Sequence, residues 1–241
     1  MRIHGFHQLY QHRLALSTRP FAARGAKIDR CPYCRVEKRV CLCPYQPNID
    51  TNIAVLLLLS DNEVFKPSNT GRLIADTVKE TYVYQWSRTN PQPDMLSLLN
   101  HPDYFPVLVF PAENEQAQAR TIEPSQLSVD GHKPLLIFID GSWREAKRIV
   151  RKSAYLASLP MISVHPTTLS EYVMRKSDNE QHLATAEVAA LVFDSVGEHL
   201  GAKTLHFWFE AFKESYMMGK SRMAHDAERP ALQRYLTLEA H

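Results

Sequence analysis

Glycine is scarce in this chain, with eight residues in 241, and none of them falls into G-x-G-x-x-G or G-x-x-x-x-G-K-[ST]. The dinucleotide-binding and P-loop classes rely on that backbone geometry to approach phosphates, so both lack their footing. No G-x-S-x-G occurs either, which removes the serine nucleophile elbow. Long apolar runs are also missing. The longest, 53–59, has about a third of the residues a membrane span needs and reads as a core strand. The N-terminal stretch has cations but no apolar segment or small-residue cleavage site of a secretory signal. The expectation is a cytoplasmic protein with no membrane contact and no obligate protein partner.

Charge is small in total and uneven in place. Residues 1–48 hold nine Lys and Arg against two acids, a local +7 in a chain of net +2, so the remainder is −5. A basic segment on a mildly acidic body suggests a polyanion contact at one end, with a solvated tail as the plain alternative. All four cysteines lie in this segment: Cys31, Cys34, Cys41 and Cys43, spaced C-x2-C-x6-C-x-C. Two close pairs can set four thiolates around one tetrahedral Zn²⁺, and in a cytosolic chain that is favoured over disulfides. Four thiolates leave no open position, so the expected role is structural, with Arg30, Arg35, Lys38 and Arg39 offsetting the charge of the cluster.

Beyond Pro47 the pattern changes. Apolar runs near 52–59, 81–86, 106–110, 134–139 and 161–164 read as strands, and helical stretches near 69–79, 94–100 and 143–158 separate most of them. That alternation predicts an α/β fold, a mostly parallel sheet with helices on both faces, carrying a small N-terminal zinc knuckle. Two more helices are expected at 185–196 and 203–219. In the second, Leu205, Trp208, Phe209, Phe212 and Tyr216 form an aromatic stripe that reads as core or dimer surface. The expected divisions are 1–48 for the basic segment and knuckle, 49–220 for the main domain and 221–241 for a polar, loosely held tail. His101, His132, His165 and His182 are scattered and read as surface or satisfied histidines.

In a parallel sheet, ligands gather where strand ends meet helix starts. Three loops stand there. In 60–73, Glu63 and Lys66 precede Pro67-Ser68-Asn69-Thr70-Gly71, where Asn69 or Thr70 can cap a helix. In 140–143, Asp-Gly-Ser-Trp ends an apolar strand. In 172–191, Arg175 and Lys176 precede a polar loop, and Thr185-Ala186-Glu187 opens a helix. Counting 100° per residue, Arg144, Lys147, Arg148, Arg151 and Lys152 share one arc of the helix after the second loop. Trp143, Ala146, Ile149, Val150, Ser153, Leu156 and Ala157 share the opposite arc. One face is positive and the other packs.

Taken in order, C-x2-C-x6-C-x-C, E-x-x-K-P-S-N-T-G-R-L, D-G-S-W and T-A-E resemble the DTW-domain family, and within it the bacterial tRNA-uridine aminocarboxypropyltransferases. The likeness runs over roughly residues 28–220. The name motif of that family is Asp-x-Thr-Trp, and Ser142 here keeps the hydroxyl without the methyl. The resemblance implies transfer of the 3-amino-3-carboxypropyl group of S-adenosylmethionine to N3 of uridine 47 in the tRNA variable loop, releasing methylthioadenosine. It also implies kinship with the SPOUT class, whose C-terminal part is knotted.

On that resemblance, Asn69, Thr70, Gly71, Ser142, Trp143, Thr185, Ala186 and Glu187 are the expected donor-binding positions. Asp140 is the expected catalytic carboxylate, a general base or orienting acceptor for uridine N3, with capping of the 143–158 helix as its structural alternative. Trp143 covers the adenine, lines the uridine pocket or anchors its helix. Arg144, Lys147, Arg148, Arg151, Lys152 and Arg175 are expected to hold tRNA phosphates, fixing register without reading sequence. Two other functions are compatible with these residues: an RNA methyltransferase of related fold, and a non-catalytic zinc-dependent RNA-binding protein.

Overall fold

A computed structural model describes residues 1–18, 28–128, 131–164, 184–219 and 228–239. Five strands form one sheet: β1 (Ala54–Leu59), β2 (Thr81–Gln85), β3 (Tyr104–Val109), β4 (Lys133–Asp140) and β5 (Met161–Ile162). Their order is β2-β1-β4-β3-β5, and every pairing is parallel. All six residues of β1 are buried, as a strand covered on both faces requires. The alternating pattern in the sequence is therefore realised, with each expected strand present.

Eight α-helices are described: α1 (Gly5–Ala15), α2 (Gly71–Thr77), α3 (Pro93–Leu99), α4 (Glu115–Gln118), α5 (Trp143–Lys152), α6 (Thr185–Ser195), α7 (His199–Met218) and α8 (Pro230–Glu239). Side chains alternate across a strand, so odd and even positions of β1 enter different cores. Val55, Leu57 and Leu59 meet Leu73 and Ile74 of α2, Val192 and Phe193 of α6, and Leu205, Trp208 and Phe212 of α7. Ala54, Leu56 and Leu58 meet Met95 and Leu98 of α3, Ala117 of α4, and Ala146 and Ile149 of α5. The aromatic stripe on α7 is thus core.

Strands β1 and β4 are neighbours in the sheet, with Leu59 level with Asp140. After β1 the chain turns to the α2 face, and after β4 it turns to the α5 face. Two adjacent strands that send their chains to opposite faces leave a crevice at their carboxyl ends, the usual ligand position in such sheets.

Two expectations change. The basic N-terminal segment is no appendage: Phe6, Cys31, Cys34, Val36 and Leu42 belong to the same core as β1 and α7. The stretch after Gly219 is not a loose tail throughout, because α8 buries Ala231, Leu232 and Tyr235. The Tyr235 ring lies 5.1 Å from that of Trp208, and Glu214 accepts the backbone N–H groups of Ala231 and Leu232 at 2.9 and 3.1 Å. Three buried anchors in a helix of only ten residues give too short a pattern to read without knowing what they cover. Among the described residues no helix is long and apolar enough to cross a membrane.

Candidate functional site

The three motif loops converge on Asp140, the last residue of β4. Asn69 Nδ2 donates to Asp140 Oδ2 at 2.6 Å, and the Thr185 hydroxyl donates to Oδ1 at 2.7 Å. Gly71 lies so close that a Cβ there would be 2.4 Å from Oδ2. Asn69 also caps α2, its Oδ1 accepting the Arg72 N–H at 3.0 Å. Asn69 thus caps α2 through Oδ1 and holds Asp140 through Nδ2. Thr70 accepts the N–H of Ala186 at 3.5 Å, and Glu187 accepts that of Ala184 at 2.9 Å, which closes the first turn of α6 onto the α2 loop.

Asp140 does not cap α5. That role falls to Ser142, whose Oγ accepts the Glu145 N–H at 3.4 Å, while Glu145 accepts the Ser142 N–H at 2.9 Å. Nor does the turn present the carboxylate openly, since Asp140 is only 4% exposed. A buried carboxylate is costly to ionise, and burial pushes Asp140 up to about 6, aided by the nearby Glu63 charge and opposed by the Asn69 and Thr185 hydrogen bonds and by Lys66. At neutral pH it is still the anion.

Trp143 departs from the packed arc. Its ring is 41% exposed and stacks on Phe110 at 5.4 Å, with Lys147 Nζ 4.9 Å from the ring centre. Elsewhere on the arc Ala146, Ile149, Ser153 and Leu156 are buried and Val150 is half-buried, but Ala157 is exposed, because the α-helix ends at Lys152 and the 100° count lapses beyond it. All five cations of α5 are exposed, but two are engaged: Lys147 pairs with Glu113 at 2.9 Å, and Arg148 lies over Trp86 at 5.4 Å. Arg144, Arg151 and Lys152 have no ion-pair partner among the described residues. Arg175 falls in 165–183, outside the described residues.

The cysteines meet the requirement of a metal site. Their sulfurs all lie within 4.8 Å of one another. Cys31 and Cys43 Sγ are 3.5 Å apart, and Cys34 and Cys41 Sγ are 3.7 Å apart. A tetrahedron with Zn–S bonds of about 2.3 Å has edges of roughly 3.8 Å, so the donor set fits Zn²⁺, and no disulfide is present among the described residues. Four thiols this close cannot all ionise without a cation. The hydrogen bond between Cys34 and Cys43 holds Cys34 down to about 5 and pushes Cys43 up.

The basic segment does not act as a free polyanion arm where it is described. Arg2 donates to the carbonyls of Ala75 and Asp76 at the end of α2, at 2.9 and 2.7 Å. Arg13 donates to the Asp61 carbonyl at 3.0 Å, and Arg30 to that of Arg35 at 3.0 Å. Arg35 donates to the Tyr10 hydroxyl. Lys38 pairs with Asp29 and Arg39 with Glu37. Arg2, Arg13 and Arg30, the last lying 5.3 Å from the Tyr216 ring, reach the body, whereas Arg35, Lys38 and Arg39 bond within the segment.

One buried assembly escaped the sequence reading. Asp76 accepts from Arg72 at 2.9 Å, His4 at 3.0 Å, Gln46 at 2.9 Å and Trp208 Nε1 at 3.1 Å. These partners hold its carboxyl well below the usual range despite burial. The only sequence signal was Arg72 and Asp76 at i, i+4, which is common on any helix. His4, His7 and Asp76 also come close enough to suggest a metal. However, the two imidazoles stack at 3.9 Å, His7 Nδ1 accepts the His4 N–H at 3.4 Å, and Arg72 already neutralises Asp76. The assembly is a joint between the N-terminal arm, α2 and α7.

Comparison with known proteins agrees with the motif order. The DTW domain model matches residues 28–217. The chain is 24% identical over 168 residues to tRNA-uridine aminocarboxypropyltransferase 2 of Macaca fascicularis, covering 67% of this chain and 54% of that protein. It is 26% identical over 165 residues to the protein of the same name from Mus musculus, with the same coverages of 67% and 54%. The chain thus spans about half the length of the curated relatives it matches. No solved structure matches. The matched residues run from the cysteine knuckle through the loops joined at Asp140 to the end of α7, and the chain belongs to the DTW-domain family.

Proposed function

We propose that this chain is a tRNA-uridine aminocarboxypropyltransferase, moving the 3-amino-3-carboxypropyl group of S-adenosylmethionine to N3 of uridine 47 in the tRNA variable loop. The observation that carries the reading is the convergence of the Asn69, Asp140 and Thr185 loops at the crevice between β1 and β4, within a DTW domain. The names of the relatives support the same activity. The residues suit the substrate: carboxylates at Asp140, Glu63 and Glu145 complement a sulfonium, and the Trp143 ring, partly exposed although Phe110 and Lys147 lie against it, is an aromatic contact for adenine. Asn69, Thr70, Gly71, Ser142, Thr185, Ala186 and Glu187 shape the donor pocket.

The donor supplies an electrophilic carbon attached to sulfur. A bond forms from uridine N3 to that carbon as the carbon–sulfur bond breaks, the sulfur keeps the electron pair as methylthioadenosine leaves, and N3 loses its proton. Which of the three sulfonium carbons reacts is a matter of which one faces N3. Asp140 accepts the N3 proton by exchanging its Thr185 bond for the imide N–H. The Oδ1 side is the accessible one, because Thr185 is half-buried whereas Asn69 and Gly71 are buried. Arg144, Lys147, Arg148, Arg151 and Lys152 line the phosphate track, and Arg175, outside the described residues, is a further candidate for phosphate binding.

A SPOUT-type fold with a knotted C-terminal part belongs to the same proposal, and an experimental structure covering 165–183 tests it. Work on tRNA suits the cytoplasm. The direct experiment is incubation with S-adenosylmethionine and unmodified tRNA, with nucleosides and by-product identified by mass. We expect acp3U and methylthioadenosine. S-adenosylhomocysteine would make the chain a methyltransferase, and no binding of the donor would leave an RNA-binding protein. Asp140→Asn is expected to abolish transfer with tRNA affinity retained, and the wild-type rate to fall as pH drops through about 6, where the base takes its proton. Full activity in Asp140→Asn removes the carboxylate from the chemistry.

A further inference from the structure

Arg35 stands at φ 62°, in the left-handed region that glycine fills freely and other residues occupy under strain. It directly follows Cys34, and its N–H closes the knuckle turn by donating to the Cys31 carbonyl at 3.1 Å. Apart from the charge it sets beside the thiolates, the turn uses only the backbone of Arg35. The side chain instead leaves the knuckle: Nη1 donates to the Tyr10 hydroxyl at 2.5 Å, and the guanidinium lies 4.4 Å from the centre of the Tyr10 ring. Tyr10 meets Phe65 edge-on at 6.0 Å. One turn further along α1, Arg13 lies over the same Phe65 ring at 5.4 Å and donates to the Asp61 carbonyl at 3.0 Å. Asp61 and Phe65 flank Glu63, which accepts from Asn69 at 3.4 Å, and Asn69 in turn holds Asp140.

An unbroken path therefore leads from the cysteine knuckle across α1 to the loop after β1. We propose that Arg35 is a positioning residue that ties the metal knuckle to the donor loop, 60–69, through Tyr10 and Phe65. Strain tolerated at a residue whose side chain makes a distant contact is the mark of a conformation kept for that contact. The identity of the donor rests on the function proposed above, whereas the tie itself does not.

Arg35→Gly is an informative variant because it removes the side chain and relieves the backbone together, so the knuckle keeps its turn. We expect zinc content and thermal midpoint near wild type. Amide exchange in 60–69 should quicken by about tenfold, since the loop loses its outer support. S-adenosylmethionine affinity measured by calorimetry should weaken by a similar factor, with Arg35→Lys in between. Tyr10→Leu, which leaves the knuckle untouched, should reproduce both changes and decides the matter if Arg35→Gly loses metal. Wild-type exchange rates and donor affinity in the variant that retains zinc would overturn the proposal. A wild-type protein that binds no S-adenosylmethionine would sink the donor reading, and the exchange rates would still judge the tie.

Discussion

Gly71 is required by what stands opposite it. A methyl group there would sit 2.4 Å from Asp140 Oδ2, and the carboxylate has no room to retreat because Asn69 and Thr185 hold its two oxygens. Gly71→Ala should cost about 1–3 kcal/mol of stability as an overpacked site and should depress transfer more than tRNA binding. Thermal melts and single-turnover rates check this, and unchanged values for both would mean that α2 shifts freely. Asp140 and Asp76 should respond to pH in opposite ways. Asp76 is depressed, so its contribution to stability is present above the ordinary aspartate range and is lost only as pH falls through its lowered value. Asp140 is raised to about 6, so the native state binds the extra proton and stability falls as pH rises from the ordinary aspartate range to about 6. Urea melts across that window should give a flatter profile for Asp140→Asn than for wild type, and parallel profiles would contradict the burial of the charge. The loops that carry these residues were legible in the sequence, but the contacts between them were not. Asn69 and Thr185 lie 71 and 45 positions from Asp140, and no local pattern encodes such a meeting.

Among the elements, α5 was the most readable. A 100° count separates its exposed cations from Ala146 and Ile149, because a helix at a sheet face must bury one stripe. The count cannot tell which cations are already engaged. With Lys147 on Glu113 and Arg148 on Trp86, the phosphate-binding share should fall on Arg144, Arg151 and Lys152. Neutralising all three should weaken tRNA binding and lower the slope of log affinity against log salt by roughly two units. An unchanged slope would assign this face to solvent. Trp143 was misjudged by the same count, since the first residue of a helix precedes the turn that would bury it. The strands were legible from their apolar runs, and their order was not, because pairing depends on crossovers that periodicity does not record.

At the level of the whole molecule, charge misled and spacing did not. The excess of cations in 1–48 suggested a polyanion contact at one end or a solvated tail, and its described part is no solvated tail: the six cations there engage carbonyls, a hydroxyl and neighbouring acids, and the cysteine turns supply Val36 and Leu42 to the main core. Chelation should therefore do more than loosen a knuckle. Stripping the metal at neutral pH should lower the unfolding midpoint of the whole protein and expose tryptophan, because Cys34 and Trp208 share one core. A local change with the main transition unmoved would return the knuckle to the status of an appendage.

The joint at Asp76 has a consequence for how the polypeptide is made. It draws on His4 near one end and on Trp208 far along the chain, and Tyr235 then closes over Trp208. A ribosome delivers these residues in order, so His4 and Asp76 wait for Trp208, 132 positions beyond Asp76, before the joint can close. Until then Arg72 and Asp76 have no indole above them. Products stalled before Trp208 should be recognisable to chaperones and proteases by that uncovered charge pair, and docking of α8 over Trp208 seals it.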